Sequence, residues 1–278
     1  MVDVKLFKYV ASERIDILEE GFIRFTQPEM LNDPCELKPN ILSLANEFQI
    51  NKELSDDKLN QVLDEEIDKL PIEIREQAKL ILSNNELRNH VVANVFEETK
   101  NLIQSDYVVK NTNSVIHSGF EKNIGILSLG GMNDSMLMWS HYADRHTGFV
   151  IEFDFENSFF DQRKHKDDSL RHIVKVKYQD MLQYNLYDMK AEDLMTKSKE
   201  WKQENEYRML VALQDADKVI NDNIYLFKLP FDAITSIIFG SKSSDILKDK
   251  VDNIIKLKDK DHIKLFETKI RQGKICIV

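Results

Sequence analysis

The sequence contains little cysteine, proline and glycine, and it has no long apolar run. Its 278 residues include two cysteines, five prolines and eight glycines. Cys35 and Cys276 lie far apart in the chain, which argues against a disulfide framework and favours a reducing compartment. No segment reaches the roughly 18 consecutive apolar residues of a membrane-spanning helix, and residues 1–9 lack the apolar core of a signal peptide. We therefore expect a cytoplasmic protein without a membrane partner.

Positive charge is scarce relative to negative charge. The chain has 38 lysines and arginines against 48 aspartates and glutamates, which gives a formal net charge of −10. Non-specific binding to duplex nucleic acid needs several basic side chains on one face. The balance argues against a general nucleic-acid coat protein, but it is compatible with an enzyme that meets nucleic acid at one local patch.

The segment 42–118 contains no glycine and few strand signals. Its charged and amide side chains alternate with apolar residues, as on the solvated faces of amphipathic helices. The pattern predicts a helical insertion at 42–118 within a single domain that spans 1–278. The apolar residues that recur at helical spacing are Leu59, Val62, Leu63, Ile67, Leu70, Ile74, Ala78, Ile81, Leu82, Val92, Val95, Phe96, Leu102 and Ile103.

Short segments with the composition or period of β-strands stand on both sides of this insertion. Regular crossover helices do not separate them, as they would in a doubly wound sheet. The sequence therefore predicts an α+β fold with a mixed, mainly antiparallel sheet. The predicted strands lie at 4–9, 22–25, 125–129, 149–153, 173–178, 207–213, 224–229, 234–240, 263–268 and 274–278.

Five aromatic or ionisable side chains crowd into eight positions, namely Trp139, His141, Tyr142, Arg145 and His146. Each is costly to bury unless its polar atoms find partners, so the cluster favours the wall of a site. The alternative makes Trp139 and Tyr142 core aromatics and His141 a satisfied buried histidine. A metal site is disfavoured, because histidines five positions apart do not share a helix face and no third ligand stands nearby.

Two glutamates, Glu204 and Glu206, stand just before the apolar strand predicted at 207–213. In an extended segment, residues two apart point the same way. Like charges on one face raise one pKa or require a cationic partner, and either arrangement suits catalysis. The simpler alternative is that Glu206 pairs with Arg208 on an edge strand.

The motif Asn32-Asp33-Pro34-Cys35-Glu36 places two carboxylates and an amide around a proline. Pro34 forces an extended or turn geometry on Asp33. In an Asx-type turn, the Asn32 and Asp33 side chains would bond nearby backbone amides. A rigid turn of this kind would also fix a polar group at a site.

These motifs occur together with Leu-Phe-Lys-Tyr at 6–9, Ile-Leu-Glu-Glu-Gly at 17–21, Met-Trp-Ser-His-Tyr-Ala at 138–143 and Trp-Lys-Gln-Glu-Asn-Glu-Tyr-Arg at 201–208. In this order they resemble a widespread microbial family catalogued as a domain of unknown function. The resemblance covers nearly the whole chain apart from the helical insertion. Because the function of this family is unknown, the resemblance by itself implies no biochemical activity.

The opening of the chain is also similar to that of the ADP-ribosyltransferase superfamily. Both have a strand with a polar or basic residue, a helix that ends in Ile-Leu-x-x-Gly, and a second strand. The resemblance implies a sheet core of that type. It places Lys8 or Tyr9 at the first-strand position, where the superfamily usually has His or Arg. It places the group from Ser140 to Tyr142 at the middle position and Glu206 at the late glutamate.

The resemblance implies chemistry on NAD. Cleavage of the nicotinamide–ribose bond builds positive charge on the sugar. A fixed Glu206 carboxylate that hydrogen-bonds the ribose hydroxyl would stabilise this charge. Tyr142 or Trp139 would stack on nicotinamide, and Lys8 or Arg24 would neutralise the pyrophosphate.

The resemblance therefore supplies a set of candidate residues and partners. We expect Trp139, Tyr142 and Glu206 to converge on one cleft, with NAD as substrate and no metal. By resemblance to related toxins, the expected role is a stress or phage-defence effector with a nucleic-acid or protein target and a regulatory or antitoxin partner. The candidate catalytic residues are Glu206, Tyr142 and Ser140, and the candidate NAD-binding residues are Lys8, Tyr9, Arg24, Asn32, Asp33, Trp139 and His141.

Two alternatives from other classes stay open. The first is a non-enzymatic sensor module that binds a ligand or a protein segment through residues 139–146. The second is a metal-dependent nuclease that holds a divalent ion between Asp33, Glu36 and Glu206. Carboxylate oxygens are the ligands that such an ion prefers.

Overall fold

The structure, a computed structural model, describes residues 4–180 and 182–278. The chain separates into two compact units. The first takes its described residues from Met1–Leu37, Ser118–Leu182 and Lys190–Val278, and the second from Lys38–His117 and Gln183–Met189. The second unit begins earlier than the insertion predicted at 42–118, and it includes a later piece of the chain. The assignment of 1–278 to a single domain stays a prediction.

The described residues form 15 strands and eight α-helices, numbered here in chain order. The strands are β1 Lys5–Val10, β2 Phe22–Phe25, β3 Asn40–Ser43, β4 Ile124–Gly130, β5 Phe149–Asp154, β6 Val174–Lys175, β7 Lys177–Gln179, β8 Gln183–Asn185, β9 Thr196–Ser198, β10 Glu206–Ala212, β11 Lys218–Ile220, β12 Ile224–Lys228, β13 Ile234–Phe239, β14 Lys264–Arg271 and β15 Lys274–Ile277. The α-helices are α1 Asp16–Glu20, α2 Glu47–Glu53, α3 Asp56–Asp68, α4 Ile72–Leu82, α5 Asn85–Ile103, α6 Asp106–Asn123, α7 Met136–Tyr142 and α8 Asp245–Leu257.

The main sheet belongs to the first unit and has eight strands in the order β15-β14-β13-β5-β1-β4-β10-β6. Neighbouring strands are antiparallel except for β13 and β14, which run parallel. A smaller antiparallel sheet has the order β11-β12-β2. The predicted α+β fold with a mixed, mainly antiparallel sheet is thus confirmed. The sheet core of ADP-ribosyltransferase type stays a prediction.

Alternate side chains of β1 pack on opposite faces of the main sheet, as the pleat requires. Leu6 and Val10 belong to the larger hydrophobic core, to which the amphipathic helix α8 contributes its buried face. Phe7 and Tyr9 belong to a smaller core, which contains Trp139 of α7. The sheet is therefore covered by apolar side chains on both faces, and α7 lies on the same side as Phe7 and Tyr9.

The main sheet opens between β1 and β4. These strands pair at one point, Phe7 with Gly130, whereas β1 pairs with β5 over six residue pairs and β4 with β10 over seven. Beside this point, the Lys8 ammonium donates a hydrogen bond of 3.0 Å to the Ser128 carbonyl. A lysine side chain thus bonds to backbone where two neighbouring strands separate.

The turn that follows α7 has an unusual backbone. Asp144, Arg145 and His146 have φ values of 44°, 52° and 73°, in the left-handed region that L-residues rarely occupy. Two glycines make room for it. A Cβ at Gly148 would lie 2.0 Å from the Val10 carbonyl oxygen, and one at Gly240 would lie 2.1 Å from the His146 carbonyl oxygen. Part of the sequence cluster at 139–146 therefore serves a tight chain reversal.

The second unit is mainly helical. It contains α2 to α5, most of α6, and the parallel strand pair β3–β8. Asn46 begins α2 with a reciprocal capping box to Gln49, and Ile50, Ile67 and Val92 are buried in its interior. Within residues 4–180 and 182–278, no strand from 42–118 joins the main sheet, and no helix is long and apolar enough to span a bilayer.

Candidate functional site

A cleft of about 160 Å³ lies in the first unit beside the opening of the main sheet. Its walls come from β1, β4, α7, the start of β10 and the segment after β2. A cavity of ~150 Å³ is known to hold a benzene molecule. The cleft therefore has room for one small ring. The residues that fix its polar character are Lys8, Asn32, Tyr142, Lys197, Glu204 and Glu206.

Five of the candidates from the sequence line this cleft: Lys8, Tyr9, Asn32, Tyr142 and Glu206. They come from four separate segments of the chain. The Tyr9 hydroxyl is committed to the Met132 carbonyl at 2.8 Å. The structure therefore brings together the first-strand, middle and late positions that the resemblance implied.

The other five candidates lie away from the cleft lining. Trp139 is fully buried, donates to the Asn133 carbonyl at 2.7 Å, and packs edge-on against Tyr9 with 5.5 Å between ring centroids. Tyr142 and Glu206 meet at the cleft as expected, whereas Trp139 packs in the core behind it. Ser140 and His141 are exposed on α7.

Asp33 and Arg24 also have surroundings of their own. The Asp33 carboxylate accepts a hydrogen bond of 2.9 Å from the Cys35 amide, which is the Asx-type turn that the sequence allowed. Arg24 lies on β2, and its Nε and Nη2 atoms are buried without a hydrogen-bond partner among the described residues. Asp33 therefore shapes the loop that carries Glu36, while Arg24 keeps unused donors.

A network of buried ions lies against the cleft. Arg208 is fully buried, and its guanidinium binds Glu36 at 2.5 and 3.2 Å and Glu206 at 2.9 Å from each carboxylate oxygen. Glu206 and Arg208 do pair, as the simpler alternative predicted, but the predicted edge position is wrong, because β10 lies between β4 and β6. Arg208 faces inward, and two carboxylates from distant segments converge on it.

Lys197 is the second cation of this network. Its side chain is only 4% exposed, and its ammonium lies 2.7 Å from Glu204, 3.2 Å from Glu206 and 3.6 Å from Glu36. The ammonium also lies 4.7 Å from the centroid of the Trp201 ring. Three carboxylates thus share two cations, and the network carries a formal charge of −1.

Local backbone geometry explains how Glu204 and Glu206 reach the same ammonium. Glu204 ends a 3₁₀ helix, Asn205 takes a left-handed conformation with φ 45°, and Glu206 begins β10. An asparagine tolerates this conformation better than most residues. The two carboxylates therefore approach Lys197 around a tight reversal, and not along the extended segment that the sequence suggested.

The network fixes the ionisation of its members. Burial alone would raise the pKa of Glu206, but the charges of Arg208 and Lys197 lower it to about 2. Burial alone would lower the pKa of Lys197, but Glu206, Glu36 and Glu204 raise it above its usual value. Both groups are therefore charged across the physiological range.

Tyr142 connects the network to the open side of the cleft. Its hydroxyl donates to Glu204 at 2.5 Å and accepts from the Asn32 amide at 2.5 Å. Burial and the bond to Glu204 raise the pKa of Tyr142 above its usual value. The hydroxyl therefore stays protonated and holds Glu204 in place.

Three glutamates line the cleft, and two of them, Glu204 and Glu206, differ in how many acceptor positions are in use. Four contacts of 3.2 Å or less, from Arg208 and Lys197, reach the two oxygens of Glu206. A carboxylate offers about four acceptor positions, so Glu206 is saturated. Glu204 accepts from Tyr142 and Lys197 only, among the described residues. Of these two carboxylates, Glu204 is the one with acceptor positions left for a ligand.

Sequence reasoning did not select Lys197, Glu204 or Glu36 as NAD-site residues. For Lys197 and Glu204 the sequence did contain a usable signal. Like charges at 204 and 206 require a cation, and the nearest basic residues that precede them include Lys197. No local signal connects Glu36 to Arg208, since 172 positions separate them.

Among residues 4–180 and 182–278, no group of three or more His, Cys, Asp or Glu side chains is arranged to hold a metal ion. Glu36 and Glu206, two ligands of the nuclease alternative, both face the Arg208 guanidinium. That positive charge opposes a divalent cation at the same position.

Comparison with known families gives one match. Residues 138–209 match a family described as a protein of unknown function (DUF2971). The resemblance to a domain-of-unknown-function family is thereby confirmed over this stretch, which contains Tyr142, Glu204 and Glu206 but not Lys8. The chain has no significant match among curated proteins or solved structures. The similarity to ADP-ribosyltransferases stays a prediction.

Proposed function

We propose that this protein is an NAD-using ADP-ribosyltransferase whose cleft takes the nicotinamide end of NAD. The observation that carries the proposal is a ring-sized cleft bordered by an ionised, buried carboxylate network with a formal charge of −1. A positively charged nicotinamide ring suits the carboxylate side of such a cleft better than an anion does. The target would be a nucleic acid or a protein.

The chemistry needs a charge that is already in place. As the bond from nicotinamide to ribose breaks, positive charge develops on the sugar. Groups that are held ionised before the reaction stabilise this charge without reorganising. In the proposal, Glu206 contributes its fixed negative charge, and Glu204 accepts a ribose hydroxyl at one of its open positions. Tyr142 positions Glu204.

The test is release of nicotinamide from NAD in the presence of EDTA, followed by chromatography. Glu204→Gln keeps size and most hydrogen bonding but removes the charge, so we expect turnover to fall by roughly 10²–10³. Glu206→Gln should lose turnover and also melt lower, because its carboxylate bridges two buried cations.

Glu152→Gln is the matched control. Glu152 is a buried carboxylate of the same sheet, bound to Lys5, Thr235 and Ser236, and it does not line the cleft. The Glu152→Gln variant should have a lower melting temperature and keep the wild-type turnover of NAD. If wild-type protein releases no nicotinamide under any condition, or if activity appears only with a divalent ion, the transferase proposal fails.

A binding module without catalysis is the second candidate, and one observation favours it. The four contacts on the Glu206 oxygens leave that carboxylate without a position for a substrate hydroxyl. In that case NAD would raise the melting temperature of the wild type without being consumed. Glu204→Gln would then reduce the shift and change no turnover.

A further inference from the structure

Lys8 has surroundings unlike those of the other cleft lysine. It is half-buried, and its ammonium donates a hydrogen bond of 3.0 Å to the Ser128 carbonyl. Among the described residues, no carboxylate oxygen lies within 4.0 Å of its nitrogen, whereas Lys197 has three. The Lys8 amine therefore borders the cleft without a paired counter-ion.

Charged neighbours on three elements act on Lys8. Arg14, on the turn before α1, and Arg24, on β2, disfavour a further positive charge, while Glu206 on β10 favours it. The guanidinium of Arg14 is bound to Asp16 at 3.0 Å. The other ionisable groups that line the cleft with Lys8 are Tyr9, Glu36, Tyr142, Lys197 and Glu204.

Burial outweighs the attraction of Glu206. Desolvation, opposed by Glu206 and reinforced by Arg14 and Arg24, lowers the pKa of Lys8 to about 8. At pH 8 about half of this amine is then neutral, against roughly 0.4% of a lysine with the ordinary pKa of ~10.4. A desolvated lysine next to other cations is the arrangement that activates amines as nucleophiles.

The hydrogen bond to the Ser128 carbonyl also orients the amine. A neutral amine that donates one N–H to Ser128 keeps its lone pair free to point away from that carbonyl. Phe7, Leu129 and Met138 line the same cleft and limit competing water. The Lys8 amine is thus adjacent to a cleft with apolar walls.

We propose that the Lys8 amine is a nucleophile that forms a Schiff base with a small aldehyde carrying an anionic group. The proposal does not depend on NAD turnover. The amine lone pair attacks the carbonyl carbon, and the π electrons move to oxygen, which takes up the proton that the nitrogen releases. Loss of one water from this carbinolamine gives the imine. No oxidant or metal takes part.

The anionic group follows from Arg24. Its Nε and Nη2 atoms are buried without a hydrogen-bond partner among the described residues, and its charge reaches Lys8. Buried donors without partners cost stability. A phosphate or carboxylate on the aldehyde would supply them with acceptors.

The experiment uses two probes that share a ring and an aldehyde: pyridoxal 5′-phosphate and pyridoxal. Full-length protein is mixed with each probe at pH 6 to 10 and reduced with borohydride. Modified lysines are then located by peptide mass spectrometry. The comparison lysine is Lys5, which lies three residues away on β1, is exposed, and binds Glu152 at 2.7 Å.

We expect pyridoxal 5′-phosphate to modify Lys8 at least ~10-fold faster than Lys5 at pH 8, with a rate that levels off above about pH 8 because the amine is then neutral. Lys8→Arg should lose one equivalent of adduct, and Lys5→Arg should keep the fast phase. Arg24→Met should slow the phosphorylated probe more than pyridoxal, since loss of the Arg24 charge also raises the pKa of Lys8 and slows both probes.

Modification spread evenly over exposed lysines would overturn the proposal. So would a rate at Lys8 that keeps rising with pH up to 10. If the ratio of the rate with pyridoxal 5′-phosphate to the rate with pyridoxal is the same at Lys8 as at Lys5, the anionic part is overturned. Mapping on the wild type decides these points even if Lys8→Arg does not fold.

Discussion

Two charged regions of the first unit lie beside the same cleft and are built in opposite ways. In the carboxylate network, Glu36, Glu204 and Glu206 are bound by Arg208 and Lys197. In the basic region, Lys8 at the cleft bonds to a carbonyl, and Arg24, outside the cleft lining, has buried donors without partners among the described residues. Paired buried charges hold a fold together once they are present. Unpaired charges reduce stability, but their hydrogen-bond donors stay available to a ligand. The paired carboxylate network therefore supports the fold, and the basic region is the one suited to binding.

The largest expected effect comes from removing the central cation of the network. Arg208→Met leaves Glu36 and Glu206 buried without their main partner, which should lower the free energy of unfolding by about 3–5 kcal/mol. Urea denaturation measures it. Arg163→Met, which breaks an exposed pair with Asp161, is the control and should change the free energy of unfolding far less, because water and salt screen an exposed pair. Equal losses in the two variants would show that the network does not act as a buried unit.

Acid should remove stability through Glu206. Its pKa is about 2 in the folded protein and about 4.3 in an unfolded chain. A lowered carboxyl pKa stabilises the fold above the unfolded value, and this contribution disappears as the pH falls from about 4 to 2, in total roughly 3 kcal/mol. Wild type should therefore lose more stability between pH 5 and pH 2 than Glu206→Gln. If stability falls equally with pH in wild type and in Glu206→Gln, the lowered pKa of Glu206 is contradicted.

Alkali should add stability through Lys8, the reverse of the acid effect. Its pKa is about 8 in the folded protein and about 10.4 in an unfolded chain. Between these values the unfolded chain holds more protons, so the free energy of unfolding rises with pH, by about 2 kcal/mol. We expect wild type to gain relative to Lys8→Met from pH 8 to pH 10. If the difference in the free energy of unfolding between wild type and Lys8→Met does not change over this pH range, the pKa of Lys8 is that of an ordinary lysine.

Removal of the Tyr142 hydroxyl should have a smaller effect. Tyr142→Phe takes one hydrogen bond from Glu204 and leaves the Asn32 amide unpaired. A bond to a charged acceptor contributes about 1.5–3 kcal/mol, and the partly open side of the cleft lets water replace some of it, so we expect a loss of about 1 kcal/mol. Thermal unfolding measures it, and Tyr107→Phe on exposed α6 is the control. A loss as large as that of Arg208→Met would make the hydroxyl a member of the buried core.

The smallest effect should come from Arg24. Arg24→Met removes buried donors that have no partner among the described residues, so the free energy of unfolding should stay the same or rise by up to about 1 kcal/mol. Denaturation at pH 7 checks this. A loss above that size would mean that Arg24 has a supporting contact, and the contrast between the two regions would then weaken.

Much of the fold was predictable, because it depends on local patterns. The apolar runs at 207–213 and 125–129 predict β10 and β4, which are neighbours in the main sheet. The predicted strand at 173–178 divides instead into β6 and β7, which pair with different strands. Between them the Val176 amide bonds to the Glu206 carbonyl at 2.9 Å. A local pattern does not encode such a change of partner.

The candidate site was predictable in part, for the same reason. Tyr142 and Glu206 stood out because polar aromatic and like-charged residues are costly to place without partners. Trp139 stood out equally, yet its N–H is satisfied six residues away and the ring is core. The arrangement of Glu36 around Arg208 depends on contacts between segments 172 positions apart, which only the assembled sheet creates.

The second unit is discontinuous in sequence, and this affects how the chain could be shortened. The chain enters it at Lys38, leaves it at His117, and returns for Gln183–Met189. A deletion of 38–117 would remove β3 and leave β8 with an unpaired edge, which is a template for association with other chains. Clean excision therefore requires two cuts, with the ends joined between Leu37 and Ser118 and between Leu182 and Lys190. A single internal deletion would remove most of the helical unit and would also leave a strand edge that favours aggregation.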